Sequence, residues 1–379
     1  MAVIRTLEIR DFGPFEHATL ELSPLTVIVG PNDSGKSTIL NAVRVLAGLA
    51  DPERRDGVST QARKGSSGAT VAMTAQSEQD EWAIDFQFGV PRGRGRRQLG
   101  VRFDGADVSD PAGQDLALQF DGQPPWAYAR GDIFGDDATS QRHRGLQRLL
   151  AGVHFLKPNP DAMRQPAPMS TTAEGADLLA ADGSGLPSLL AQLGASDPRR
   201  ALDLKQAFVA MVPTLSDYAL RPTDVDGKFA YELEFRGAGR TEFSASEVSD
   251  GVILLLAFLA LANLPEPPSV LLVEEPENGM HPARLREILT QLRKLASGDL
   301  GDEPTQVIIT THMPYLLDEV EPEEAFFCVR DDAGIARVVR FSDVPGIHEE
   351  LNHKLLGELW AEHGEEALYA RFLQRNAAK

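Results

Sequence analysis

Residues 25–29 (LTVIV) form an unbroken apolar run, and residues 38–46 behind them repeat apolar positions at helical spacing. The pattern predicts a short strand buried on both faces, then a tight loop, then a helix. Ahead of it, residues 3–10 and 18–22 alternate apolar and polar positions, as two strands joined by a turn at Gly13-Pro14 should. Further strand-like segments follow, among them 82–88 and 99–103. Helical spacing returns at 186–193 and 199–211, and strand alternation at 229–235 and 241–243. Residues 252–264 are almost wholly apolar and read as a buried helix, too short for the roughly 20 residues that cross a bilayer. Two more apolar strands, 269–273 and 305–311, end in polar groups: Glu274-Glu275 after the first, His312 after the second. Polar residues dominate 51–67, predicting a surface excursion. Small residues and prolines dominate 158–185, predicting a loop or mobile insertion. No fixed repeat and no coiled-coil heptads are visible.

A chain of 379 residues exceeds the length at which one core stops growing, so two lobes or a domain with a large insertion are expected. Its formal charge of -19 argues against non-specific coating of nucleic acid, which draws its affinity from many Lys and Arg contacts. The densest basic cluster, Arg92, Arg94, Arg96 and Arg97, reads as a solvated hairpin tip, with a phosphate-binding loop as the alternative. Cys328 is the only cysteine, which excludes an internal disulfide and a cysteine zinc site and suits a reducing cytoplasm. The first residues alternate like a strand and carry no signal-peptide core, so neither export nor membrane association is expected.

The loop Gly30-Pro31-Asn32-Asp33-Ser34-Gly35-Lys36-Ser37 fits G-x-x-x-x-G-K-[ST]. Glycines permit backbone angles that a side chain forbids, so successive N–H groups can converge on phosphate oxygens. The helix that follows points its positive end at the same anion. Lys36 offers a point charge for the β- and γ-phosphates, and the Ser37 hydroxyl is a ligand for Mg²⁺. A strand ending in paired acids delivers Glu274 and Glu275 to the sheet edge where ligands bind, Glu274 toward a cation and Glu275, by strand alternation, toward an attacking water. His312, at the end of its own strand, is placed to sense a γ-phosphate; a purely structural histidine is the alternative. Ser249-Asp250-Gly251 opens the apolar helix and makes either a second anion site or an ordinary cap.

In this order GPNDSGKST, VSDGV, VEEPENGMHP and TTHMPYLLD resemble the ABC-type ATPase superfamily, and within it the soluble RecF, SMC, Rad50 and OLD-like branch. The chain looks similar to AAA15/AAA21-type ATPases, which carry segments like residues 355–360 (LLGELW) near their C-termini. The resemblance covers residues 1–50 and 240–360 well and the middle loosely. It implies an α/β ABC-type P-loop ATPase fold with a RecA-like core sheet, an antiparallel β subdomain and a helical signature lobe. ATPase lobe I would span 1–150, an insertion and helical region 151–240, the signature helix, Walker B, D-loop and switch histidine 241–345, and a helical tail 346–379.

The same resemblance implies that Gly30, Asn32, Asp33, Ser34, Gly35, Lys36, Ser37 and Thr38 wrap ATP, and that Ser37 and Glu274 hold Mg²⁺. Glu275 would polarise water, with Lys36 and His312 as its catalytic companions. Ser249 and Gly251 would close over ATP on a second subunit, giving an ATP-dependent homodimer, with residues 278–281 as the D-loop. Three departures stand out. Glu274 replaces the commoner Asp, the signature lacks its leading Leu and second paired glycine, and the Q-loop residue is open between Gln76 and Gln87. No Toprim nuclease domain, coiled-coil arm or zinc hook is recognisable. Hydrolysis is therefore expected to drive dimer closure coupled to a separately encoded effector, a nuclease of DNA repair or anti-phage defence being one candidate. DNA contact stays open. Alternatives are a slowly hydrolysing ATP-gated scaffold and, on fold alone, a transporter's nucleotide-binding subunit.

Overall fold

The computed structural model describes residues 2–50, 62–64, 66, 68–78, 81–89, 99–103, 106–107, 139–168, 179–237, 239, 241–277, 282–300 and 303–377. The basic cluster 92–97, the D-loop segment 278–281 and most of the 51–67 excursion lie outside them. The strands are β1 (Val3–Phe12), β2 (Phe15–Glu21), β3 (Leu25–Val29), β4 (Gly68–Gln76), β5 (Glu81–Gly89), β6 (Leu99–Phe103), β7 (Ala106–Asp107) and β8 (Val153–Leu156). They continue as β9 (Ala167–Pro168), β10 (Leu215–Val225), β11 (Lys228–Gly237), β12 (Glu242–Ser244), β13 (Val270–Glu274), β14 (Gln306–Thr311), β15 (Ala325–Arg330) and β16 (Ala336–Arg340). The chain divides into two compact units, Met1–Val153 with Ile308–Lys379, and His154–Val307.

In the first unit the strands run in the order β7-β6-β5-β4-β1-β2-β16-β15-β3, with residues 308–311 of β14 beside β3. The outer part is an antiparallel meander: β1 pairs with β2 and β4, and β5 with β4 and β6. The inner part is mixed, since β15 runs parallel to β3, with Ala325 opposite Val27, and antiparallel to β16. All five residues of β3 are buried, as its unbroken apolar run requires. In β1 the apolar alternates Leu7 and Ile9 are fully buried, as is Phe15 on β2. The helix Lys36–Ala50 springs directly from the loop after β3.

The helical segment Leu356–Ala377, broken by a kink at Gly364 (φ 72°), docks in its first part through Trp360, whose ring lies 5.8 Å from Phe327 and 5.9 Å from Phe341. Gly357 lets it approach closely: a Cβ there would collide with the Pro314 carbonyl, and the Gly357 N–H donates to Asp318 Oδ1 at 2.8 Å. The LLGELW segment thus fastens the tail to the turn just past His312.

In the second unit the helix Asp250–Ala262 is buried at every position from Gly251 to Ala262. It packs against the helices Pro198–Met211 and Pro282–Ser297. An antiparallel sheet, β10-β11-β12 with β9 on β11, covers Phe208, which meets Tyr218 edge-on at 5.8 Å and Phe235 at 6.1 Å. Strand β13 is wholly buried, and β8 belongs to the same sheet. Part of the expected loop 158–185 is ordered instead: Asn159 caps a helical turn Pro160–Met163, its side chain accepting from the Asp161 and Ala162 N–H groups. Among the described residues no helix is long and apolar enough to cross a membrane.

Replacing Trp360 by Ala removes the ring that pins the tail helix, and should lower stability by about 3 kcal/mol in a denaturant titration. Cys328 is buried on β15, and burial pushes its thiol up to about 12. It should resist thiol reagents at pH 8 in the folded chain and react at once in denaturant.

Candidate functional site

The phosphate-binding loop is shaped by contacts that leave no space for side chains. A Cβ on Gly30 would lie 2.7 Å from the Cys328 carbonyl oxygen and 2.8 Å from Ser34 Oγ; one on Gly35, at φ +107°, would lie 2.7 Å from the Phe15 ring. Gly13, at φ +55°, brings the β1–β2 turn equally close to Thr38. Phe12 and Phe15 are buried, and Phe15 backs the loop. Asp33 adopts a left-handed backbone at φ 62°, and its carbonyl accepts from Arg330 Nε at 2.9 Å.

Within this loop Lys36 folds back, its ammonium donating to the Gly30 and Pro31 carbonyls at 2.7 and 2.8 Å. Ser34 Oγ is buried and has no hydrogen-bond partner among the described residues. Asn32, Asp33 and Ser37 are exposed, and Thr38 begins the helical hydrogen bonding by donating to the Gly35 carbonyl at 3.0 Å. His312 is exposed at the end of β14, the strand next to β3, and the chain turns there as the Met313 N–H donates to Thr311 Oγ1 at 2.9 Å. The loop and the histidine strand are therefore neighbours within the first unit.

In the second unit Glu274 ends β13 with its carboxylate mostly buried, accepting from Lys157 Nζ at 2.8 Å. That hydrogen bond, opposed by desolvation, raises the Lys157 pKa above its ordinary value, and the Glu275 charge adds to the effect. Strand alternation does not set the direction of Glu275, contrary to the sequence expectation. The strand stops at Glu274, and Glu275 sits at φ 51° in the left-handed region. Gln76 lies at the exposed end of β4 and accepts from Arg5 Nε at 3.1 Å, while the Gln87 side chain is outside the described residues.

Ser249 is the N-cap residue of the apolar helix, yet its side chain makes no capping hydrogen bond. Asp250 does not cap either; its carboxylate binds Arg164, which also reaches the Ala245 and Val248 carbonyls at 2.9 and 3.0 Å. Sequence reasoning missed Lys157, Arg164 and Arg330. Each is a lone basic residue outside any motif, and only the fold reveals its carboxylate or carbonyl partner.

Two family descriptions match the chain: "AAA domain" over residues 6–107, and "AAA domain, putative AbiEii toxin, Type IV TA system" over residues 136–318. An OLD nuclease of Thermus scotoductus is 25% identical over 413 aligned residues, which span 97% of this chain and 70% of that protein. The fold is that of SMC heads. One, solved bound to the C-winged helix domain of ScpA, superposes with a TM-score of 0.57 at 16% identity, over 89% of this chain and 96% of the other. The Smc head of Pyrococcus furiosus, with an extended coiled coil and bound to the C-terminal domain of ScpA, gives 0.51 at 17% identity, over 93% and 100%. With a P-loop behind β3, an acid-tipped buried strand and an SMC-head fold, the chain is similar to P-loop ATPases of the RecF/SMC/OLD-like kind.

Proposed function

We propose that the chain binds ATP with Mg²⁺ on the loop 30–38, hydrolyses it, and pairs head to tail with a second copy in the ATP-bound state. The observation that carries this reading is the buried Ser34 hydroxyl inside a cradle closed to any Cβ. An unsatisfied buried hydroxyl costs about 1–3 kcal/mol, and a phosphate oxygen accepting from it removes that cost. The residues fit the group: Gly30, Asn32, Asp33, Ser34, Gly35, Lys36, Ser37 and Thr38 would hold the phosphates, and Ser37 and Glu274 offer oxygen ligands of the kind Mg²⁺ takes. When bound, Mg²⁺ offsets the negative charge on the phosphate oxygens.

The chain's own groups supply the rest. Lys36 exchanges two neutral carbonyls for an anion, a stronger, charge-assisted bond. Glu274 gives up Lys157 to serve a cation. Glu275 takes the proton of the attacking water, and His312 contacts the γ-phosphate. Ser249 and Gly251 receive the nucleotide of the second copy. The output lies in a separately encoded cytoplasmic effector, and the likeness to a protein named as a nuclease supports a nuclease acting in DNA repair or anti-phage defence. One observation favours a slowly hydrolysing ATP-gated scaffold instead: the Lys157–Glu274 pair must part before each turnover. Steady-state turnover separates the two readings.

In Glu275→Gln the chain should keep its ATP affinity, lose hydrolysis by about a hundredfold or more, and accumulate dimers by light scattering. Unchanged turnover would remove Glu275 from the role of base. Lys36→Ala should weaken ATP binding itself by about tenfold or more in a calorimetric titration, and wild-type affinity there would contradict the phosphate cradle.

A further inference from the structure

Arg164 lies outside the residues proposed to hold the nucleotide, yet its side chain is held by four hydrogen bonds. Its backbone is fixed from both sides. Asn159 caps the preceding helical turn, and fully buried Met163 fills the space where a Cβ on Gly183 would collide. The side chain, only 11% exposed, spends three of its four hydrogen bonds on one short stretch of chain. Nε binds the Ala245 carbonyl at 2.9 Å, and Nη2 binds both the Val248 carbonyl at 3.0 Å and the Asp250 carboxylate at 2.5 Å. Nη1 meets Asp161 Oδ1 at 3.1 Å, at the exposed rim.

Asp250 is the difficulty that this arrangement answers. It occupies the first turn of the helix Asp250–Ala262, where the backbone attracts anions, but a carboxylate already in place repels a triphosphate. It also competes as a cap for the N–H groups that an incoming phosphate needs. Arg164 turns that carboxylate toward itself and cancels its charge. The Ser249 side chain is left without a capping bond, and the Ser249 carbonyl accepts from Val252 at 3.0 Å and Ile253 at 3.4 Å.

We propose that Arg164 is a positioning residue for the signature segment, which neutralises Asp250 and pins residues 245–250 so that Ser249 and the helix N-terminus can accept the triphosphate of a second copy. The inference rests on the head-to-tail reading above and adds the residue that makes an acidic signature compatible with an anionic ligand. Arg164 lies outside the phosphate loop, so its loss should be felt in pairing and not in primary ATP affinity.

The full chain with a non-hydrolysable ATP analogue provides the test. Arg164→Ala should bind the analogue within about threefold of the parent, while its dimerisation constant, from sedimentation, weakens by about tenfold or more. Adding Asp250→Asn to that variant should recover most of the loss, because the uncompensated charge is gone. Arg164→Lys, which keeps the charge and loses the planar fork, should fall between, and it carries the same comparison if the alanine variant fails to fold. Parent-like dimerisation in Arg164→Ala, or no rescue by Asp250→Asn, overturns the proposal. Amide exchange at Val252 and Ile253 gives a readout independent of pairing: it should quicken in Arg164→Ala, and unchanged exchange counts against Arg164. If the parent chain itself stays monomeric with the analogue, the functional reading fails, and exchange alone decides whether Arg164 pins the turn.

Discussion

The phosphate loop exists because two positions in it have no room for a single carbon atom. At Gly30 the chain runs against the backbone of β15, and at Gly35 it runs against the Phe15 ring. Overpacking a filled site costs about 1–3 kcal/mol even when neighbours relax, and at Gly30 the neighbour is backbone. The surroundings follow from that contact. Strand β3 must be buried on both faces to bring Gly30 to β15, β15 must run parallel to it, and the β1–β2 turn must carry Gly13 and Phe15 to the far side of the loop. Arg330 then fixes the Asp33 carbonyl in the left-handed turn. The ordering entropy of such a loop is spent in folding, so little remains to be lost when an anion arrives.

The charges at these sites are held by partners of different strength. Lys36 rests on two carbonyl oxygens, which carry only partial charge, whereas Glu274 rests on a full ammonium and Asp250 on a full guanidinium. Each pair has one mostly buried member, Glu274 or Arg164, and one half-exposed member, so the buried member is the one whose charge most needs its partner. The two carbonyls beside Lys36 thus leave its positive charge unneutralised by themselves, whereas Lys157 sets a full opposite charge against Glu274. In a chain with a formal charge of -19, these few cations are committed to specific carboxylates and carbonyls, and do not form a diffuse basic surface.

Much of this was legible in the sequence because it is local. The LTVIV run is β3 residue for residue, the apolar run expected at 252–264 is the helix Asp250–Ala262, and residues 186–193 and 199–211 lie within the helices Leu186–Ser196 and Pro198–Met211. The misses are non-local. Strands β15 and β16 carry no motif in AFFCVR and ARVVR, yet Phe327 and Cys328 support both the tail helix and the phosphate loop. Residues 158–168 read as a loop because Pro, Asn and Asp break any period, but an Asn cap, the buried Met163, the Arg164 hydrogen bonds and the pairing of β9 with β11 hold them. Glu275 was assigned a direction from strand alternation, and a single left-handed residue cancels that rule. Sequence patterns report periodicity well and report the end of a period poorly.

The buried helix Asp250–Ala262 shows how apolar composition concentrates electrostatic character at a helix end. From Val252 onward it carries no side chain able to hydrogen bond, and it is closed at its far end by Asn263, whose side chain donates to the Leu259 carbonyl at 2.8 Å. Polar residues along the helix would have spread its interactions over its length. Without them, its electrostatic character is expressed at the termini, and with the C-terminal carbonyls satisfied locally the N-terminal end at Ser249 carries the remaining positive potential. Low surrounding dielectric strengthens that potential, because no water along the helix flanks screens it. An acid placed in its first turn would normally consume the effect. The guanidinium of Arg164 lets the helix keep both the acid and the potential, by binding the carboxylate from the side.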